Sequence, residues 1–303
     1  MRKKVTRRPN WVRQKGFTTM SERKMRNTFC DHSSENQIQF NIEVHDEVSR
    51  KYELLHGEIF NAIEQERLHK ALSAAAEAVR TGSKPIAALD YGCGSGNLTR
   101  GLIEAGIDTV SADVSDGFLA LIERNFSQTG LSKVLKVNGK DLSGVESGRF
   151  DLVATYSVLH HVPDYLHIVK EMCRVLKPGG VIYIDHEVNE SYYDRPKEYV
   201  EFLRKAKPII NFKRYLRLLF DVKGYKHIFR RIINPRYKRE GDIHVWPDDH
   251  IEWDKIEQLL IAEGLEIISK QDYLLYKNYY DVDVYNEYKD KCPDERLLIA
   301  RKL

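Results

Sequence analysis

Asp90-Tyr91-Gly92-Cys93-Gly94-Ser95-Gly96 is the stretch of this 303-residue chain whose residue types and spacing point most directly to chemistry. An apolar run, Ile86-Ala87-Ala88-Leu89, precedes it, and a helical pattern, Asn97-Leu98-Thr99-Arg100-Gly101-Leu102-Ile103, follows. A strand, a glycine turn and a helix in that order make a ligand cradle, because glycine takes the tight turn and lets the backbone approach a ligand that a Cβ would repel. The glycines fall at 92, 94 and 96, which is not the G-x-G-x-x-G spacing that presents amides to a pyrophosphate. That argues against a hydride-transferring dehydrogenase. A second apolar run, Ile107 to Ala112, ends in Asp113, about twenty residues past the glycines, where an acid can accept hydrogen bonds from both hydroxyls of a ribose. Two charge-assisted bonds at about 1.5–3 kcal/mol each make Asp113 a main determinant of affinity.

A second set of reactive side chains follows the buried-strand pattern Phe150–Tyr156, in the run Ser157-Val158-Leu159-His160-His161-Val162-Pro163-Asp164. A histidine that titrates near neutrality suits proton removal from a phenol or hydroxyl, and His161, ahead of His160, is the expected catalytic base. Asp185-His186-Glu187 forms another polar cluster, in which His186 and Glu187 are placed to orient an acceptor. The segment Gly241–His250 is dense in polar and aromatic groups, with His244 and Trp246 as candidates to line an acceptor pocket. The Gly-x-Ser-x-Gly elbow of hydrolases is missing around Ser95. Cys30, Cys93, Cys173 and Cys292 show no C-x-x-C spacing, so neither a zinc site nor a disulfide framework is expected, and a reducing cytoplasm is the default.

The elements that must position these groups alternate. Strand patterns at Ile86–Leu89, Ile107–Ala112, Lys133–Asn138, Phe150–Tyr156 and Val181–Asp185 are separated by helical patterns near Asn97–Ala105, Gly117–Gln128 and Tyr165–Leu176. Such alternation implies a doubly wound parallel sheet with right-handed crossovers. A helical pattern from Val44 to Val79 precedes the first strand, closed by Gly82 and Pro85. After Asp185 the alternation stops. It resumes with a helix near Trp253–Glu263, a strand around Leu265–Tyr273 and a last strand near Arg296–Lys302.

The ordered motifs between Ile86 and Asp185, including Gly139-Lys140-Asp141-Leu142 and Leu176-Lys177-Pro178-Gly179-Gly180, resemble those of the class I S-adenosylmethionine-dependent methyltransferases, in particular the small-molecule group of quinone and sterol methylases. The resemblance implies S-adenosyl-L-methionine as cofactor, with the glycine turn holding its methionine part. It implies an α/β fold: a doubly wound, mostly parallel, seven-stranded Rossmann-like sheet whose final strand inserts antiparallel between its two predecessors, with a helical lid insertion after the fifth strand. Carried over residue by residue, the cofactor contacts are expected from Asp90, Gly92, Gly94, Gly96, Asp113, Val114, Asp141, Leu142 and Tyr156. Asp141 would face the exocyclic amine of adenine, and Tyr52 would close over the cofactor as N-terminal tyrosines do in relatives. Related quinone O-methylases carry metal-binding acids just before the equivalent histidine. Ser157 and His160 stand there in this chain, so no metal is expected.

The implied organisation is a basic, disordered arm over 1–35, a cofactor-binding core with N-terminal helices over 36–187, a basic helical lid over 188–250, and a C-terminal helix and strand pair over 251–303. Charge follows this division. From Arg195 to Arg239 there are fifteen Lys or Arg against three acids, an excess of twelve; with +3 overall, the remainder carries a net −9. Residues 2–26 add ten Lys or Arg against Glu22 alone. Phe212, Tyr215, Leu216, Leu219 and Phe220 form an apolar stripe at helical spacing, opposed by Lys213, Arg214 and Arg217. A basic amphipathic helix of this kind can lie on an anionic membrane, which fits a lipid-linked acceptor. The expected function is methyl transfer to a small-molecule or lipid-linked acceptor in the cytoplasm. RNA methylation and cofactor binding without catalysis are the alternatives. Base methylation is disfavoured, because Thr155-Tyr156-Ser157-Val158 replaces the Asn/Asp-Pro-Pro-aromatic run that such enzymes use.

Overall fold

The computed structural model describes residues 34–49, 52–206, 231–232, 235–236, 238 and 241–303. The basic arm, Cys30 and the apolar stripe around Phe212–Phe220 lie outside the described residues.

Seven strands form one sheet. β1 (Ala87–Tyr91), β2 (Asp108–Asp113), β3 (Ser132–Lys136), β4 (Phe150–Tyr156), β5 (Leu176–Val188), β8 (Leu265–Tyr273) and β9 (Glu295–Lys302) stand in the order β3-β2-β1-β4-β5-β9-β8. β6 (Val245–Trp246) and β7 (Asp249–His250) make a separate two-residue hairpin. β1 to β5 pair in parallel, and β9 runs antiparallel to both β5 and β8. The last strand thus fills the slot between its two predecessors, as the motif order implied.

Side-chain alternation with period two makes both faces of this sheet apolar. Leu89, Val153, Ile182, Ile184, Leu298 and Ala300 point to one face, covered by α6 (Tyr165–Val175) and α9 (Trp253–Ala262). Ala88, Leu152, Ala154, Tyr183, Leu297 and Ile299 point to the other, covered by Leu68, Leu72 and Ala75 of α3 (Ala62–Glu77) and by Leu98 and Leu102 of α4 (Asn97–Glu104). Beside them, α5 (Asp116–Phe126) packs Leu119, Ile122 and Phe126 against Cys93 of the glycine turn.

The N-terminal helical pattern is broken rather than continuous from Val44 to Val79. It comprises α1 (Ser34–Val48), the single turn α2 (Tyr52–Leu55) and α3. Asn61 restarts the helix: its side chain accepts the Glu64 amide at 3.0 Å. At Gly57 an added Cβ would stand 2.3 Å from the Asn278 amide nitrogen, so the chain passes the C-terminal region too closely for a side chain there. Helix α1 begins at Ser34, at the very end of the arm expected over 1–35 and ahead of the helical pattern read from Val44. Its face is marked only by Ile38, Asn41 and His45, a spacing of three and four with one aliphatic residue.

The stretch after β5 also departs from expectation where it is described. α7 (Glu190–Asp194) and α8 (Lys197–Lys205) pack Tyr199 and Phe202 against Leu274, Tyr285, Tyr288 and Cys292, alongside α10 (Val282–Tyr288). A boundary at residue 250 therefore divides segments that share one small core.

Candidate functional site

Parallel pairing brings the carboxyl ends of β1, β2, β4 and β5 to one level: Asp90 is opposite Ser111 and Ala154, Asp113 opposite Lys136, and Tyr156 opposite Asp185. A cleft opens above these ends, where α/β sheets bind ligands. Its space, the solvent at its open mouth included, is about 920 Å³.

The floor is the glycine turn. The amides of Gly92 and Cys93 both bond the Ala112 carbonyl, at 2.8 and 3.0 Å, which ties the turn to β2. Gly92, Gly94 and Gly96 all have positive φ, the region that L side chains avoid. Their surroundings differ. A Cβ at Gly92 would come within 2.4 Å of a Val158 methyl, and one at Gly96 within 2.7 Å of Ile122, whereas one at Gly94 would meet nothing within 4 Å. Gly92 and Gly96 thus permit packing, while Gly94 keeps the cleft open. Gly96 does not line the cleft; it occupies the N-cap of α4.

Asp113 is the centre of the wall. One carboxylate oxygen accepts the Gly94 amide at 2.9 Å, the other the Ser115 amide at 2.8 Å. Burial pushes its pKa up to about 6, against the lowering effect of those amides. Each oxygen keeps a further lone-pair site, the arrangement a vicinal diol needs. Asp90 is buried deeper, accepts the Thr99 hydroxyl at 2.6 Å, and has its pKa pushed up to about 7 by burial. Val114, Tyr52 and Tyr156 also line the cleft. Tyr52 meets Phe118 edge to face at 5.3 Å, and Tyr156 stacks on His186 at 4.8 Å and 15°.

Asp141 and Leu142 fall elsewhere. Leu142 is in the hydrophobic core, 1% exposed. Asp141 accepts its own loop's Asn138 side chain and the Ser143 hydroxyl, at 3.0 and 2.6 Å, and those bonds hold its pKa down to about 2. It borders a neighbouring cavity that shares Ile38, Gly139 and Pro163 with the main cleft.

The roof was not foreseen. α1 contributes Ile38, Asn41 and His45 to the lining. It is pinned by Asp46, which accepts the Ser115 hydroxyl at 2.5 Å and the Gly117 amide at 3.0 Å, and by Asn41, which donates to the His161 carbonyl at 2.8 Å. His45 and His161 meet edge to face at 5.2 Å. Burial drives His45 down to about 4 and His161 well below the usual imidazole range, so both are neutral bases.

The two histidines of the expected catalytic pair part company. His161 lines the cleft; His160 turns away, its Nδ1 at 2.8 Å from Glu187. Glu187 also takes the Val158 and Leu159 amides at 2.9 and 2.7 Å, so it organises the turn after β4 and does not face the cleft. His186 backs Tyr156, at a positive φ of 62°. His244 is held by Asp249 and the Val162 carbonyl at 2.5 and 3.0 Å, and Trp246 lies under Lys238; neither lines the cleft. None of the described residues 188–206 does so either.

Buried polar atoms without hydrogen-bond partners concentrate in this lining: Asn41 Oδ1, Ser95 Oγ, Asn97 Nδ2, Tyr156 OH and His161 Nδ1. Such atoms are costly unless a polar ligand meets them. A buried carboxylate with a lone-pair site left on each oxygen, a side-chain-free turn and this mixed donor and acceptor set fit a nucleoside bearing a polar amino-acid tail.

Residues 89–184 match the family described as "Methyltransferase domain". The ubiquinone biosynthesis O-methyltransferase of Methylococcus capsulatus is 35% identical over 97 residues, covering 32% of this chain and 41% of that protein. The demethylmenaquinone methyltransferase of Bacillus cytotoxicus is 31% identical over 144 residues, covering 46% and 59%. The chain thus spans about half the length of these relatives. Among solved structures, a chain of the complex between the Haloferax volcanii Trm112 methyltransferase activator and a methyltransferase superposes with a TM-score of 0.52 at 15% identity, over 85% of this chain and 96% of that one. An S-adenosylmethionine-dependent methyltransferase from Mesorhizobium loti gives 0.50 at 20% identity, over 77% and 96%. These two likenesses show the fold.

Proposed function

We propose that this chain, whose residues 89–184 match a methyltransferase domain, moves a methyl group from S-adenosyl-L-methionine to a small-molecule or lipid-linked acceptor by in-line transfer. The observation that carries the reading is Asp113, a buried carboxylate held by one amide on each oxygen beside a glycine turn that leaves the cleft floor bare. The cofactor supplies an electrophilic methyl on a sulfonium, whose thioether leaves without an acid. The protein's part is therefore positioning: holding the nucleophile in line accounts for much of such a rate. Asp113 takes the ribose hydroxyls; Gly92 and Gly94, with Asp90 behind them, border the tail; Val114, Tyr52 and Tyr156 enclose the remainder. Asp141, across the shared wall at Gly139, serves the adenine end only through a change in its loop. His161 is the group on the acceptor side, and a neutral imidazole there can take the acceptor's proton. The named relatives act in ubiquinone and menaquinone biosynthesis, which supports a phenolic or quinol acceptor.

Calorimetric titration with S-adenosylhomocysteine, with NADH as the control, tests the cofactor. Micromolar binding of the former alone is expected, and its absence overturns the reading. His161→Ala is expected to lower turnover at least a hundredfold with nearly unchanged cofactor affinity; full activity would remove His161 from the chemistry.

Within the turn, the two cleft-facing glycines separate packing from binding. Gly94→Ala should cost about 1–2 kcal/mol through its left-handed backbone while weakening S-adenosylhomocysteine at least tenfold, because its Cβ enters ligand space. Gly92→Ala should add about 1–3 kcal/mol of overpacking against Val158. Urea midpoints and calorimetry on both variants check this, and equal stabilities would contradict it.

A further inference from the structure

We propose that the Glu295 carboxyl, at the start of β9, anchors a site for a protonated alkylamine beside the end of β5. Outside the cleft, the buried side-chain atoms without a hydrogen-bond partner among the described residues are Arg67 Nη2, Asn189 Oδ1, Tyr193 OH, His250 Nδ1 and Glu295 Oε2. All five are grouped around the end of β5 and the segment that follows it. Arg67 bonds Asp185 of β5, Asn189 follows that strand, Tyr193 belongs to α7, His250 meets the Tyr193 ring at 4.7 Å, and Glu295 pairs with Val188. Of the acids there, Asp185 is paired with Arg67, Glu187 holds the turn after β4, and Asp294 accepts the Leu275 amide at 2.8 Å and the Tyr199 hydroxyl at 3.1 Å. Glu295, 7% exposed, has no hydrogen bond or ion pair with a described residue.

The groups around this carboxyl ask for a donor that carries positive charge. Burial, then the charges of Asp294, Glu187 and Asp185, push Glu295 well above the usual carboxyl range, with Lys277 opposing them. A buried acid without a partner is costly until a cation meets it. Tyr273 stands directly opposite Glu295 in the β8–β9 pair, so the two side chains share a face. The Tyr273 hydroxyl gives its proton to Asp185 at 2.9 Å, which leaves its oxygen to accept from His186 Nδ1 at 3.4 Å. His186 Nε2 therefore keeps its lone pair, and no described residue bonds it. Burial, Tyr192 and then Glu295 raise the Tyr193 hydroxyl, which sets that hydroxyl within electrostatic reach of the carboxyl. A carboxylate, an imidazole lone pair and a phenol oxygen suit a compact ammonium with its three N–H donors. A neutral hydroxyl brings one donor and leaves the acid surplus as it was. Arg67 cannot take that place, because it is bound to Asp185 and Glu64. Tyr156 lines the cleft and stacks on His186, so these two rings stand between the amine site and the glycine turn. Amine binding goes beyond the methyl-transfer reading and stands without it.

The full chain in mildly alkaline buffer is titrated calorimetrically with butylammonium chloride, with potassium chloride and 1-butanol as controls. One saturable equivalent of butylammonium, no response to either control, and no displacement by S-adenosylhomocysteine are expected. Glu295→Gln should weaken butylammonium at least tenfold. It should also raise the melting temperature of the amine-free chain, because it removes a buried acid that has no counter-charge. Tyr193→Phe, which keeps the ring, should weaken binding about threefold, and it carries the test if Glu295→Gln does not fold. Glu77→Gln, at the exposed C-terminal end of α3, should change neither readout. Absence of saturable butylammonium binding, an equal response to either control, displacement by S-adenosylhomocysteine, or undiminished affinity in folded Glu295→Gln or Tyr193→Phe overturns the site. So does a melting temperature that Glu295→Gln fails to raise. S-adenosylhomocysteine titrated into the same samples keeps the two readings apart. Its binding without that of butylammonium counts against this site alone; the converse counts against the cofactor reading alone.

Discussion

Asp113→Ala is expected to weaken S-adenosylhomocysteine binding roughly a hundredfold or more, since it deletes two charge-assisted hydrogen bonds of about 1.5–3 kcal/mol each. It also strips the Gly94 and Ser115 amides of their acceptor. Unchanged affinity by calorimetry would remove Asp113 from the site. A pH series adds a second readout with a defined sign. On the proposed function the ionised carboxylate binds the diol, and burial pushes its pKa up to about 6 in the free protein. Below pH 6 binding must expel a proton, so affinity falls about tenfold per pH unit; above it the profile is flat. Asp113→Asn should lose that slope. Stability of the ligand-free protein runs the other way. Between pH 4 and 7 the folded state keeps protons on Asp113 and Asp90 that the unfolded chain, with the ordinary carboxyl value of 3.8, has released. These two acids therefore make the ligand-free fold less stable as pH rises through that window.

Arg67→Leu is expected to cost about 3–5 kcal/mol of stability, the scale of a buried ion pair that loses one partner. Arg67 bonds both oxygens of fully buried Asp185 at 3.1 and 3.3 Å, bonds Glu64 at 2.9 Å, and lies 3.8 Å over the ring of Tyr273. Asp185 is otherwise satisfied by the Tyr183 and Tyr273 hydroxyls, at 2.5 and 2.9 Å, and by the His186 amide at 2.7 Å. Hydrogen bonds do not replace the lost cation, and Glu64, already raised by burial, faces the same deficit. A urea midpoint lowered at constant m-value is the expected result. Adding Asp185→Asn should recover part of the loss. An unshifted midpoint would show that the cluster carries no net charge pairing. Because His186 stacks on Tyr156, the single variant should also loosen the cleft wall.

The sheet and the floor of the site were legible because local rules govern them. Buried parallel strands read as short apolar runs, and a turn that needs positive φ calls for glycine; Gly92, Gly94 and Asp113 follow from sequence order alone. What escaped depends on distance along the chain. α1 carries too few apolar residues to announce a buried face, since the surface it meets is partly the polar cleft itself, through Asn41 and His45. Asp242 lies eighty-one residues beyond His161, and only the folded loop brings them within 3.7 Å. His160 and Glu187 were singled out for polarity, yet their geometry is that of a brace. Gly96, Asp141 and Leu142 share the motif but not the lining, because adjacent residues of one turn point in different directions.

The placement of β9 has a consequence for how the chain is made. β5 is complete by residue 188, but the neighbour that covers its outer edge begins at residue 295. Until then β5 presents a long row of unpaired amides and carbonyls, a template for any other extended chain. The closing step is also a long-range one, of the kind that slows folding. During synthesis, the interval between these two strands is when this protein most depends on whatever shields nascent chains from one another.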